Sequence, residues 1–78
     1  MKTFKRVQVE WQDACSHDEW QTPEHLDDSP LNCVTVGFLC KETKTDIYVA
    51  GTMQIGEDDD VSCVMQIPKG MVKKITKI

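Results

Sequence analysis

The chain has 78 residues, 40% of them apolar and 28% charged, and a formal net charge of −4. That length holds one domain, near the size at which a single hydrophobic core only just offsets chain entropy, and its composition is that of a globular chain. No apolar run approaches the ~18 residues a membrane span requires, so no membrane partner is expected.

Charge is unevenly placed. All thirteen acidic side chains fall between residues 7 and 60, with only Lys41 and Lys44 among them. Lys2, Lys5, Arg6, Lys69, Lys73, Lys74 and Lys77 occupy the ends, which hold no acid. An acidic middle argues against broad wrapping of nucleic acid, while basic ends that meet in space would make one local patch.

In chain order, "MKTFKRVQVEW" has a basic start with no continuous apolar segment behind it. No export signal is expected, and the cytoplasm is the default address. Period-two alternation then appears four times. "KRVQVEWQ" sets Val7, Val9 and Trp11 on one face. "NCVTVGFLCKE" sets Val34, Val36, Phe38 and Cys40 together, with Gly37 where a coiled strand bends. "TDIYVAGTMQI" alternates Ile47, Val49, Gly51 and Met53 against Tyr48, Ala50 and Thr52, and "KETKT" before it suits a hairpin. After the acidic turn "GEDDD", "VSCVMQI" places Val61, Cys63, Met65 and Ile67 inward.

Pro68 and Gly70 stop that strand, and "IPKGMVKKITKI" reads as strand, a single 3₁₀ turn and a final strand. One long connection, about residues 13–32, separates the first two strands. In its "TPEHLDD" Thr22 is a candidate cap and Pro23 opens a turn of helix. Its length makes it the expected functional surface.

Five short strands, a long first loop and a 3₁₀ turn before the last strand predict an all-β fold. The expected form is a five-stranded SH3-like or Sm-like small barrel, one domain over residues 1–78, whose closure removes exposed edges and makes the first and last strands neighbours.

Four cysteines, Cys15, Cys33, Cys40 and Cys63, have irregular gaps and no C-x-x-C pair, so neither structural zinc nor a disulfide framework is expected. Cys33, Cys40 and Cys63 lie in apolar strand patterns and read as small buried hydrophobes.

The segments "VQVEWQDACSHDEW", "CVTVGFLCKE" and "VMQIPKGMVKKI" resemble a loose group of short hypothetical proteins encoded by bacteriophages and prophages. Trp11, Asp13, Ser16, Trp20, Gly37, Pro68 and Lys69 stand in the matching places. The resemblance implies phage origin and a small-barrel fold, with no assigned activity. The "GEDDD" turn and the extra cysteines have no counterpart in the pattern.

The cluster "DACSHDEW" invites three readings. As a catalytic pair, Cys15 and His17 sit about 7 Å apart on an extended segment. Asp13, Asp18 and Glu19 oppose a thiolate there, so no catalytic residue and no enzyme is expected. As a metal site, His17 and His25 have no recognised ligand spacing, and the acidic turn lacks interrupting glycines, so no metal or cofactor is expected. As a recognition surface, Asp13, Ser16 and His17 beside Trp20 offer donors and acceptors around a stacking ring. Trp20 then either folds back as a lid, the plainer expectation, or stands out as an anchor, while Trp11 belongs to the core.

The expected function is therefore a non-catalytic phage-type binding protein of the host cytoplasm, acting in host-factor modulation or anti-defence. It would bind a host protein or a small nucleotide-like ligand through the 13–32 loop, with Asp13, Ser16, His17, Trp20 and Lys69 as binding residues and with strand edges available for a homo-oligomer. The alternative is an Sm-like nucleic-acid binder using the basic terminal strands, with Tyr48 or Phe4 for stacking.

Overall fold

The computed structural model describes residues 4–14, 20–26, 31–56, 58 and 60–78. It contains strands β1 (Lys5–Asp13), β2 (Leu31–Glu42), β3 (Asp46–Met53), β4 (Val61–Pro68) and β5 (Val72–Lys77), with 3₁₀ turns at Pro23–His25 and Lys69–Met71. Each element expected from sequence is present, with bounds moved by at most two residues.

All pairing is antiparallel, in the order β4-β3-β2-β1-β5. The first and last strands are neighbours, as expected: Val7 lies opposite Lys77 and Val9 opposite Ile75. The expected closure is absent, however, because no ladder joins β4 to β5 among the described residues. These strands are linked only by the three-residue turn Lys69–Met71, and each leaves it hydrogen-bonded to a different neighbour, β3 or β1. The sheet therefore ends in two open edges.

The β1–β2 ladder runs from Lys5/Leu39 to Asp13/Leu31, but the β2–β3 ladder covers only Phe38/Ala50 to Glu42/Ile47. The two halves of the sheet thus share a short seam. Gly37 stands at its start, where a Cβ would fall inside contact distance of the Ala50 carbonyl oxygen and 3.0 Å from Val49 Cγ1. Only a residue without a side chain lets the two backbones meet there. The radius of gyration is 16.0 Å and the long dimension 55 Å, whereas a compact chain of this length has a radius near ~11.5 Å.

The core is correspondingly small. Val7, Val9 and Trp11 of β1 meet Ile47 and Val49 of β3 and Ile67 of β4, with Cys33, Leu39, Met71 and Val72 packed around them. The inward faces expected for β1 and for the start of β3 hold; that of β2 does not, and that of β4 holds only at Ile67. In β2 the positions opposite Trp11, Val9, Val7 and Lys5 are Cys33, Thr35, Gly37 and Leu39. Val34 and Val36 point outward, 62% and 56% exposed.

Two demands set this register. Gly37 must face β3, and the Trp11 indole N–H donates to Thr35 Oγ1 at 3.0 Å, satisfying a polar group that burial would otherwise penalise. Along β4 only Ile67 is buried; Val61, Cys63 and Met65 are exposed because no element covers the outer half of this edge strand. Cys63 takes a positive φ of 55°, and Gly51 and Cys63, which would face each other there, are missing from the ladder. Nor are the thiols buried as expected: Cys33 and Cys40 are half-buried and Cys63 is exposed, all three unbridged.

Candidate binding surfaces

Of the residues expected to bind, Ser16 and His17 lie outside the described residues, as does Cys15. Asp13 ends β1, exposed, and its Oδ1 accepts the Ala14 N–H at 2.8 Å. Trp20 is fully exposed at 104%. It forms no lid over the core, so the plainer expectation for this ring does not hold. Between them and β2, Thr22 caps the turn Pro23–His25, its carbonyl accepting the His25 N–H at 2.9 Å and its hydroxyl meeting His25 Nδ1 at 3.0 Å.

Lys69 is engaged elsewhere. Its ammonium pairs with Glu42 at 2.8 Å and its N–H donates to the Thr45 carbonyl at 2.8 Å, so it straps the second 3₁₀ turn to the β2–β3 hairpin. The hydrogen bond and charge of Lys69, with the more distant charge of Lys5, hold the Glu42 carboxyl below its ordinary pKa against a small opposing effect of burial.

The root of the long excursion forms a cleft of about 470 Å³, lined by Trp11, Asn32, Cys33, Val34, Lys73 and Lys74, with Glu10 at its side. A register shift between Glu10 and Trp11 opens the β1–β5 ladder at this point. The cleft is thus lined by the largely buried Trp11, an asparagine, one acidic residue opposite Lys74 and two lysines, and neither lysine has an ion-pair partner among the described residues. Sequence reading missed Asn32, and it placed Lys73 and Lys74 in one terminal basic patch rather than beside Trp11, because only the β1–β5 register brings them there. The signal available was the doublet Lys73-Lys74 on a strand expected to flank the first.

A second surface centres on Phe4. Three adjoining depressions of about 390, 320 and 250 Å³ all share Phe4. Tyr48 lines the first, and the Lys41 ammonium lies 5.3 Å from the centre of its ring. Lys5, Arg6 and Lys77 line the others. The terminal basic residues therefore do converge, but on two clefts rather than one patch: Lys73 and Lys74 at the loop root, Lys5, Arg6 and Lys77 at Phe4.

Among the described residues no group of three or more His, Cys, Asp or Glu side chains is arranged to hold a metal ion, and no helix is long and apolar enough to cross a membrane. Comparison with family models, with curated proteins and with solved structures finds no match to this chain.

Proposed function

We propose that this is a non-catalytic binding protein that holds a small anionic, nucleotide-like ligand at the root of the 13–32 excursion. The observation that carries the reading is the loop-root cleft, where an indole wall stands beside two lysines that have no ion-pair partner among the described residues. A ring with an attached phosphate needs that combination: an apolar face for the ring, Asn32 for polar edges and ammonium groups for the charge.

Trp20, standing clear of the protein at the same excursion, is suited to close over a ligand or to anchor a host protein. The biology is that of a phage protein acting in the host cytoplasm by sequestering a signal or engaging a host factor; the resemblance of the three sequence segments is what supports it. Self-association belongs to the same reading. The accessible surface is 6162 Å², against about 4,800 Å² for a compact monomer of this mass. The edges β4 and β5 also leave Val64, Met65 and Ile75 between 43% and 45% exposed, and pairing edges between copies would both cover them and complete a small barrel.

Isothermal titration with a nucleoside diphosphate tests the ligand reading. Saturable heat is expected, weakened about tenfold by the double variant Lys73→Ala/Lys74→Ala, a loss of about 1.4 kcal/mol. Absence of saturable heat at millimolar nucleotide removes the nucleotide reading, and equal affinity of the double variant removes the site.

A further inference from the structure

The Phe4 surface has a use that the loop-root reading does not require. Its three depressions are continuous: the first two share Cys40 and Lys41 as well as Phe4, and the last two share Lys5. Together they form a trough from Val61 and Val64 on β4, past Tyr48 on β3 and Lys41 on β2, to Lys5 and Arg6 on β1 and Lys77 on β5. It crosses every strand of the sheet. At strand spacing that is about 19 Å, the scale of about four nucleotides of an extended single strand.

The charged lining is mostly cationic. Lys5, Arg6, Lys41 and Lys77 contribute four cations, and the carboxylate lining the trough, Glu42, is already paired with Lys69 at 2.8 Å. The acidic residues Asp58 and Asp60 of the β3–β4 turn do not line it. Tyr48 is half-buried with the Lys41 ammonium held over its ring, so a base reaching that ring takes the ammonium's place while the displaced cation meets the adjoining phosphate.

We propose that this trough binds single-stranded nucleic acid, its phosphates running along Lys5, Arg6, Lys41 and Lys77 and a base stacking at Tyr48 beside Phe4. Single strands are favoured over duplex because the aromatic rings are useful only to unpaired bases, whose faces are open.

The test is fluorescence anisotropy of a labelled oligodeoxythymidine of twelve nucleotides, begun at about 20 mM salt, where backbone contacts are strongest. Four phosphate contacts on a single strand give a salt slope of about −2.8, or about a fiftyfold loss of affinity between 50 and 200 mM salt. Tyr48→Ala is expected to weaken binding about tenfold while Tyr48→Phe retains it. Lys41→Ala/Lys77→Ala should bring the slope to about −1.4.

The loop-root variant Lys73→Ala/Lys74→Ala serves as the separating control, and its affinity for the oligomer should stay within about twofold, since its lysines line the other cleft. No anisotropy change at low salt overturns the proposal. So does equal affinity for a duplex of the same length, or indifference to Tyr48→Ala in a variant whose circular dichroism matches the parent. None of these results bears on nucleotide heat at the loop root.

Discussion

Replacing Gly37 by alanine tests the bend on which the fold depends. The added Cβ would overlap the Ala50 carbonyl oxygen and lie 3.0 Å from Val49 Cγ1 and 3.1 Å from the Ala50 carbonyl carbon. Backbone cannot rotate away as a side chain does, so β2 and β3 must separate by roughly 1 Å. Such overpacking costs about 1–3 kcal/mol. The Phe38/Ala50 pair, the first of the short seam, would be lost with it, adding about 1 kcal/mol. A total of about 3 kcal/mol is a large part of the ~4–12 kcal/mol expected for a chain of this length.

In urea the transition midpoint should fall by about 2–3 M, taking a slope of about 1 kcal/mol/M for so small a domain. The control is Gly70→Ala, where nothing lies within 4 Å of the Cβ that alanine would add and φ is not positive. That variant should be neutral or gain up to about 0.5 kcal/mol through the unfolded chain. A midpoint for Gly37→Ala within about 0.3 M of the parent would refute the close approach of β2 to β3.

Other perturbations read other parts of the structure. The lowered pKa of Glu42 means that its pairing stabilises the fold fully above the unfolded carboxyl value and is lost as pH falls through the lower, folded one. A carboxyl titration followed by NMR should place Glu42 below 4.5, and Lys69→Met should return it toward that value. Thr35→Val keeps the shape but strands the Trp11 indole N–H in a partly buried site; a loss of about 1–2 kcal/mol in thermal or urea unfolding is expected. Cys63→Gly relieves a positive φ at an exposed position and should be neutral or stabilising by up to about 1 kcal/mol, where a loss would mean that the thiol is packed. Trp20→Phe should leave the unfolding midpoint unchanged, since the ring is fully exposed, while removing the quencher-accessible part of the tryptophan fluorescence.

Strands and turns were legible because they follow from local alternation and from Pro68 and Gly70, whereas the β1–β5 adjacency was expected from barrel closure and holds although the closure does not. The inward face of β2 was not. Its alternation of Val34, Val36 and Phe38 is as regular as that of β1, and hydrophobicity alone selects those residues for the core. What decides otherwise is long-range: the room that Trp11 and Val9 leave opposite Cys33 and Thr35, and the contact between Gly37 and Ala50. Sheet closure failed for a related reason, since pattern reports which residues alternate and says nothing of whether two edges reach each other. At the candidate surfaces, Asp13 and Trp20 drew attention because a polar excursion containing an aromatic ring stands out in a short chain, yet neither lines a described depression. Asn32 and Lys41 were missed because each lies on a strand whose polar residues look like ordinary solvated positions until register groups them, and Lys73 and Lys74 were expected in a single terminal patch rather than at the loop root.

The narrow junction between β2 and β3 also assigns different mechanical consequences to the two clefts. The one at the loop root is built wholly from β5, β1 and β2, on one side of that line. The trough at Phe4 straddles it, drawing on β3 and β4 as well. An occupant of the first leaves the two halves of the sheet free to flex about the junction, whereas one lying in the second splints them together and would slow amide exchange at Ala50, which does not line the trough.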